Sequence, residues 1–313
     1  MVTSAPLIDI WRGDFLESQH RGHVVVCDGG GDIVAAWGNP AQVILPRSSC
    51  KMMQALPLIT SGAANKFHLG STHLALACAS HQGAAIHTDR VTRWLKDLGK
   101  TDDDFRCGTQ WPNDIPARND LIKSDESPCR YHNNCSGKHC GFLTLSDHLG
   151  AGPEYHHADH PVQTAVRDAF ETVTGEDSPG FAIDGCSAPN FATTILGLAR
   201  GAAMFASASD DTTIGRAAIQ LREAMVAHPD LVAGETRACT ELMRAAPGVA
   251  LKTGAEAVFV AILPAQGLGI AIKVEDGAFR ASEAALTHLL VQYGALDAQH
   301  PAALKRLGPM TNW

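Results

Sequence analysis

Both ends of the chain carry short runs of β-branched and apolar residues that are separated by turn residues. A run of three glycines separates residues 23–28 (HVVVCD) from residues 33–37 (IVAAW), and Pro-Ala-Gln-Gly separates residues 257–263 (AVFVAIL) from residues 268–274 (LGIAIKV). Each pair has the pattern of a β-hairpin. We therefore predict two strands near each terminus, with a helix over residues 282–293 after the last strand.

The middle of the chain has a helical period instead. Its clearest helix begins at Pro161, after which apolar residues recur at helical spacing until Gly175 ends the pattern. Strands at both termini with helices between them favour one antiparallel sheet built from the two ends and packed with helices. We expect an α+β fold in a single domain over residues 1–313, with a mostly helical inserted region of about residues 49–245.

Composition and charge narrow the range of functions. The 313 residues are 45% hydrophobic and 19% charged, and 25 basic against 33 acidic residues give a net charge of −8. This balance argues against a nucleic-acid or anionic-membrane partner. The N-terminus lacks the basic stretch of a signal peptide, and no apolar run approaches the roughly 18 residues of a membrane span. We expect a cytoplasmic protein whose nine cysteines are reduced thiols, two or three of them candidate metal ligands.

A serine and a lysine stand three residues apart at Ser48 and Lys51, directly after a short predicted strand. If a helix begins here, the two side chains lie one turn apart. A serine becomes a good nucleophile when a base takes its proton, and a lysine can be that base when burial or a nearby cation lowers its pKa. A helix cap with an exposed lysine is the alternative interpretation of this spacing.

A second lysine and a second serine strengthen the catalytic interpretation. Lys252 opens a Lys-Thr-Gly triplet before a predicted strand, and a strand-borne triplet of this kind facing an S-x-x-K serine is the layout of the penicillin-recognising serine enzymes. Ser80 stands at the end of the apolar residues 74–79. It either terminates a helix or takes part in the chemistry, and the pattern alone does not separate the two.

Two cysteines and a lysine form a candidate zinc site. Cys135 and Lys138 share one stripe of a predicted helix that faces the core, and Cys186 follows a short apolar strand that could approach the same point. Two thiolates and one nitrogen would fill three corners of a zinc tetrahedron and leave one for water. Two buried, inert cysteines are the alternative. The three histidines of residues 156–160 crowd a polar loop, which we interpret as solvated rather than as a metal site.

Taken together, these residues resemble the asparaginase II family, which includes the Rhizobium etli type of L-asparaginase and has a fold similar to serine β-lactamases and glutaminases. The runs CSGKH and KTGAE are specific to the resemblance, which extends from about residue 20 to residue 275. The matching segments are Arg47-Ser48 with Lys51, Ala79-Ser80-His81 with Gly83, Cys107-Gly108, residues 133–139, His160-Pro161, Asp184-Gly185-Cys186, His228-Pro229 and residues 252–256.

The resemblance implies hydrolysis of the small molecule L-asparagine to L-aspartate and ammonia. The implied catalytic centre has two serine–lysine pairs, in which Ser48 pairs with Lys51 and Ser80 pairs with Lys252. The attacking serine forms an acyl-enzyme, and water then frees the product. The family also implies a homodimer.

The resemblance further implies a metal ion and a substrate pocket. One zinc ion per chain would be bound by Cys135, Lys138 and Cys186. Arg47, His139 and Asp184 would line the pocket, where Arg47 could hold the substrate carboxylate and Asp184 its ammonium group.

Three positions depart from the family pattern. Glycine is usual where Ser187 stands and frequent where Ala257 stands, and a small residue, usually alanine, stands where this chain has Cys140. Two other functions stay open. One is a glutaminase or β-lactam-type serine hydrolase on the same fold, against which the missing signal peptide argues in its β-lactam form. The other is a non-catalytic zinc- or ligand-binding protein, against which both intact serine–lysine pairs argue.

Overall fold

The computed structural model describes residues 3–309 and contains one main antiparallel sheet with two small ones. The strands are β1 (Ala5–Arg12), β2 (Phe15–Asp28), β3 (Ile33–Trp37), β4 (Val43–Ile44), β5 (Phe181–Ile183), β6 (Pro189–Phe191), β7 (Thr193–Thr194), β8 (Ala250–Gly254), β9 (Val258–Leu263) and β10 (Leu268–Val274). The main sheet has the order β1-β2-β10-β9-β8, and β3 also pairs with β2. The small sheets pair β4 with β7 and β5 with β6.

The two ends of the chain meet at the centre of the main sheet. β2 pairs with β10 in a register that places Val25 opposite Ala271, and both residues are fully buried. Both predicted hairpins are present, as the pairs β2–β3 and β9–β10. The prediction of one antiparallel sheet built from both termini is confirmed.

Helices cover the sheet and fill the middle of the chain. They are α1 (Lys51–Gln54), α2 (Leu56–Thr60), α3 (Ala63–Lys66), α4 (Ser71–Ala77), α5 (Ala85–Asp97), α6 (Ile115–Lys123), α7 (Ser136–Leu149), α8 (Pro161–Thr174), α9 (Ile195–Ala206), α10 (Thr213–Ala227), α11 (Pro229–Val232), α12 (Ala238–Ala245), α13 (Phe279–Gln292) and α14 (Pro301–Leu307). Short 3-10 turns occupy Arg47–Cys50, Asp102–Asp104 and Arg130–His132. No helix within residues 3–309 is long and apolar enough to cross a membrane.

The main sheet is buried because helices pack against it. α9 contacts β2, β9 and β10, and α13 contacts β1, β9 and β10. Every residue of β9 is buried, as expected for a strand in the interior of a covered sheet. α9 approaches β10 so closely that a Cβ at Gly269 would lie 2.0 Å from the backbone nitrogen of Ala203. Only glycine fits this crossing.

The helix predicted after Pro161 is confirmed as α8, and Gly175 ends it in the left-handed conformation with a φ of 68°. The C-terminal helix was predicted to begin at residue 282, but α13 begins at Phe279. In the turn before the helix, the carboxylate of Asp276 accepts a hydrogen bond from the N–H of Ala278, at 2.9 Å. All nine cysteines are free.

The two residues that stand where the family favours glycine both adopt the left-handed backbone conformation. Ser187 has a φ of 70° and Ala257 a φ of 52°. This conformation costs a residue with a Cβ about 1–2 kcal/mol relative to glycine. Both residues border the candidate site, Ser187 directly after Cys186 and Ala257 shortly after the Lys-Thr-Gly triplet.

We predict that Ser187→Gly raises the free energy of unfolding by about 0.5–1 kcal/mol, because relief of the backbone strain exceeds the extra chain entropy of glycine in the unfolded state. Urea unfolding measures the change. Ser187→Ala is the control, since alanine keeps the Cβ and should bring no gain. A glycine variant no more stable than the alanine variant would contradict the strain argument.

Candidate active site

Two buried lysines converge on the hydroxyl of Ser80. The Nζ atom of Lys51 lies 3.0 Å from Ser80 Oγ, and the Nζ atom of Lys252 lies 2.9 Å from it. Both lysines are 1% exposed. Lys51 begins α1, Ser80 follows the end of α4, and Lys252 lies in β8, so three separate segments of the chain build this contact.

Burial makes Lys252 a base at neutral pH. Desolvation is the main cause that lowers its pKa to about 7, and the positive charge of Lys51 lowers it further. The amine also donates a hydrogen bond to the carbonyl of Thr253, at 2.8 Å. At pH 7 about half of the molecules therefore carry an uncharged Lys252 amine beside the Ser80 hydroxyl.

Ser48 and Ser80 line the same cavity, which has a volume of about 410 Å³. Within residues 3–309 the Ser48 hydroxyl makes no hydrogen bond, so the expected contact between Ser48 and Lys51 is not formed. The Lys51 amine is instead directed at the carbonyl of Ala79, the hydroxyl of Ser80 and the sulfur of Cys135. The predicted pairing of Ser80 with Lys252 is present, and Lys51 joins it.

The backbone presents Ser48 from a strained turn. Arg47 has a φ of 53°, and the side-chain amide of Asn190 holds it by accepting from its N–H at 3.0 Å. In the described part of the chain, the N–H groups of Ser48 and Ala255 have no acceptor. A Cβ on the neighbouring Gly254 would lie 3.3 Å from the Ser48 nitrogen. Two free amides beside a cavity can stabilise an oxyanion.

Arg47 and Asp184 both line the cavity and pair with each other there. The Nε and terminal nitrogen of Arg47 lie 3.1 and 2.6 Å from one oxygen, Oδ1, of Asp184. Burial opposes the charge on Asp184, but the hydrogen bond from Arg47 and the charge of Lys138 outweigh it and lower the pKa of the carboxyl. The other carboxylate oxygen, Oδ2, makes no hydrogen bond to a described residue.

The predicted metal ligands lie at one wall of the cavity, which Cys135 and Cys186 line. Lys138 Nζ is 3.2 Å from Cys186 Sγ, and all three residues are at most 4% exposed. The neighbouring Cys135 thiol is the largest effect that lowers the pKa of Cys186 well below its usual value, and the charge of Lys138 assists it. Lys51 connects this cluster to Ser80, since its amine lies 3.2 Å from Cys135 Sγ.

The donor set of this cluster fits zinc. Thiolate sulfur and amine nitrogen are both zinc donors, and ligand atoms about 3.3–3.8 Å apart follow from a tetrahedral site with bonds near 2.0–2.3 Å. The observed 3.2 Å between Lys138 and Cys186 is close to that separation. A metal ion would replace the protons on Cys135 and Lys138 and remove the cost of a buried ammonium group.

His139, predicted to line the pocket, lies elsewhere. It is fully buried in α7 and is not part of the cavity wall. Its Nδ1 atom meets the hydroxyl of Tyr155 at 2.8 Å, and its ring packs edge-on against Phe105 and Phe142. Burial lowers its pKa well below the usual value, so His139 is neutral. Successive residues of a helix are rotated by about 100° around its axis, so Lys138 and His139 point to different sides of α7.

The loop that contains three histidines forms an ion pair at the surface. The Arg106 guanidinium contacts both carboxylate oxygens of Glu154 at 2.9–3.1 Å. Ligand atoms of Glu154, His156 and His157 lie within 4.8 Å of one another. This loop does not line the cavity.

Several residues of the cavity wall escaped the sequence analysis. Arg237 is one, because it stands in no chemical motif of the sequence. Polar amide side chains line much of the remaining wall. They are Gln110, Asn113, Asn133 and Asn134. Asn133 and Asn134 directly precede the run CSGKH, and this position in the sequence could have identified them as residues of the site.

The sequence matches the family described as L-asparaginase II over residues 8–312, and the chain belongs to that family. No curated protein matches the sequence.

Solved structures are similar to this chain at low sequence identity. The native form of Mglu has a TM-score of 0.52 and 12% identity, over 91% of this chain and 66% of that chain, which is just under two thirds of its length. A covalent complex of the Bacillus subtilis glutaminase YbgJ with 5-oxo-L-norleucine has a TM-score of 0.42 and 13% identity, over 88% of this chain and 87% of that chain. A β-lactamase from Mycobacterium bovis has a TM-score of 0.37 and 12% identity, over 87% of this chain and 94% of that chain. The predicted α+β class is confirmed.

Proposed function

We propose that this chain hydrolyses the side-chain amide of L-asparagine, with Ser48 as the nucleophile and Ser80, Lys51 and Lys252 as the proton relay. One observation carries the proposal, namely that two buried amines meet at one serine hydroxyl on the wall of a polar cavity. The arginine–carboxylate pair in the same cavity suits a substrate that carries both a carboxylate and an ammonium group.

Ser48 is a better candidate for the nucleophile than Ser80 because of its backbone. The N–H of Ser80 already donates to the carbonyl of Val232, at 2.8 Å. The N–H of Ser48 is free among the described residues, and so is that of Ala255. When Ser48 attacks, these two amides can bind the oxygen of the tetrahedral intermediate. Ser80 is better placed to pass protons, since both lysine amines contact it.

The reaction proceeds in two halves. In the first, Ser48 Oγ bonds to the amide carbon while its proton passes through Ser80 to the neutral amine of Lys252. The same proton then moves to the amide nitrogen, the C–N bond breaks, and ammonia leaves with an aspartyl ester on Ser48. In the second half, water attacks the ester by the same proton route and releases L-aspartate.

Cys135, Lys138 and Cys186 would hold the zinc ion. When bound, the ion would supply a Lewis acid that orients the substrate or polarises water. The contact between Lys51 and Cys135 connects these residues to the proton relay. Substitutions in the cluster are therefore expected to affect turnover as well as metal content.

L-Glutamine is the nearest rival substrate, since a cavity of about 410 Å³ also accommodates one more methylene. Ammonia release from both amino acids, each with and without a chelator, compares the two. A several-fold preference of kcat/KM for L-asparagine is the expected result, whereas a preference for L-glutamine would reassign the substrate within the same mechanism.

We predict that Ser48→Ala lowers kcat for amide hydrolysis by about 10³-fold or more, as loss of a nucleophile does elsewhere. The free energy of unfolding should change by less than about 1 kcal/mol, because the hydroxyl makes no hydrogen bond within residues 3–309. Ser49→Ala is the control for local damage. Its buried hydroxyl donates to the carbonyl of Pro46 at 2.7 Å, so this variant should lose stability and keep turnover.

A diazoketone analogue of asparagine separates the two serines, because it alkylates the attacking oxygen. Peptide mass mapping should find the label on Ser48 in the wild-type protein and in Ser80→Ala, where labelling is slower. A label on Ser80, or near wild-type turnover of Ser48→Ala, would exchange the roles of the two serines.

We predict that kcat/KM rises by about tenfold per pH unit below pH 7 and levels off above it, because the uncharged amine of Lys252, whose pKa is about 7, accepts the proton. The direction follows from the charge, because at low pH the Lys252 amine is already protonated and cannot accept the proton of the serine. Lys252→Arg, which stays protonated, should lose activity throughout this range. A rate that peaks near pH 5 would point to a carboxylate base instead.

We predict about one zinc ion per chain in protein purified without chelator, with metal–sulfur distances near 2.3 Å. Elemental analysis and X-ray absorption measure both. Cys135→Ala should lose the metal, whereas Cys140→Ala, which removes a buried cysteine of α7 outside the cluster, should keep it. A fully active wild-type protein without metal would leave Cys135 and Cys186 as core residues.

A further inference from the structure

Arg237 is held at the cavity by a tightly constrained segment. It is the residue directly before α12 and lines the cavity with Ser48 and Ser80. The preceding Thr236 has a φ of 65°, and Gly234 has a φ of 109°. A Cβ on Gly234 would lie 2.2 Å from the side-chain oxygen of Gln82, and the Gly234 carbonyl accepts a hydrogen bond from Thr240 at 2.6 Å. This backbone fixes where the arginine stands.

The charges on the cavity wall leave Arg237 unbalanced. Apart from Cys186, which belongs to the candidate metal cluster, three residues of the wall carry a full charge at neutral pH. They are Arg47, Asp184 and Arg237. Arg47 and Asp184 neutralise each other at 2.6 Å. Within residues 3–309 the Arg237 side chain makes neither an ion pair nor a hydrogen bond. The cavity therefore offers one guanidinium group to an anion.

We propose that Arg237 binds the α-carboxylate of the amino acid substrate, while the free Oδ2 oxygen of Asp184 binds its α-ammonium group. This inference rests on the proposed function and replaces the role that the family resemblance suggests for Arg47. Arg47 instead positions Asp184, because both of its contacting nitrogens donate to Oδ1 and leave Oδ2 open.

The chemistry of the groups favours this division. A guanidinium binds a carboxylate through two parallel hydrogen bonds, and Arg237 has all of its donors available among the described residues. The Nε and terminal nitrogen on one edge of the Arg47 guanidinium already donate to Asp184. That edge is therefore not available to bind the carboxylate of a substrate. Arg237 also lies close enough to the relay that its charge contributes to the low pKa of Lys252. An anion bound there is thus near the reacting serines.

The proposal defines a substrate class, namely free α-amino acids with a side-chain amide. A substrate whose α-carboxylate is blocked, such as L-asparagine methyl ester, loses the charge that Arg237 would bind. An asparagine inside a peptide lacks both the free carboxylate and the free ammonium group. We expect the enzyme to discriminate against both.

Steady-state kinetics of Arg237→Gln on L-asparagine and on its methyl ester test the proposal. On L-asparagine, KM should rise by about 10- to 100-fold with kcat within about threefold, as for loss of hydrogen bonds to a charged group. On the methyl ester, wild type and variant should have the same KM. Arg237→Lys should recover part of the loss, since it restores the charge without the paired donors.

Arg244→Gln is the matched control. Arg244 lies on α12, the helix that Arg237 directly precedes, and its guanidinium pairs with Glu235 at 2.7 Å on the exposed side. This variant should leave KM unchanged on both substrates. Thermal unfolding of all variants verifies that the fold is retained, and an Arg237→Gln protein that fails to fold is replaced by Arg237→Lys, whose KM for L-asparagine should still rise.

Calorimetric binding of L-asparagine to Ser48→Ala gives a readout without turnover. Adding Arg237→Gln should weaken that binding by about 10- to 100-fold. An unchanged KM and an unchanged affinity would overturn the role of Arg237 while leaving the proposed function intact. If wild-type protein neither binds nor hydrolyses L-asparagine, the proposed function itself fails, and the inference fails with it.

Discussion

The hydroxyl of Ser80 is the point on which the site depends, because two buried lysine amines share it. Burying one ammonium group is costly and burying two side by side costs more, so the pair favours a state in which one amine is neutral. The pKa of Lys252, lowered to about 7, is the result. The fold supplies both the burial and the contact, since the sheet positions Lys252 while the helical region positions Lys51 and Ser80.

A buried polar network extends from this contact. The Lys51 amine connects Ser80 to Cys135, the Cys135 thiol donates to Asn134, and Lys138 donates to Cys186. Partial loss of such a network leaves an uncompensated charge in the interior, which is more costly than never having buried it. A protein selected for stability alone would fill this space with apolar side chains. The arrangement therefore indicates selection for chemistry.

Local sequence patterns predicted the elements of the fold, and the contacts between distant elements needed the structure. The hairpins and α8 follow from turn residues and periodicity, which act over a few positions. The S-x-x-K spacing singled out Lys51 but paired it with its neighbour Ser48, whereas the structure directs its amine to Ser80, 29 positions away. No local pattern contains that separation. His139 shows the same limit, because its motif identifies it but only the packing of α7 decides which way it faces.

Backbone strain gathers around the cavity, and this distribution separates the roles of its residues. Seven residues other than glycine within residues 3–309 have a positive φ, and four of them, at positions 47, 187, 236 and 256, line the cavity or stand next to a residue that does. Strain persists where the surrounding structure determines it, and it concentrates where a side chain must be presented in one direction. Arg47 precedes Ser48 and Thr236 precedes Arg237, so the strained turns present the proposed nucleophile and the proposed anion-binding group from separate segments of the chain. The lysines, in contrast, come from regular helix and strand, where burial rather than backbone geometry tunes them. Presentation and pKa control are thus assigned to different kinds of structure.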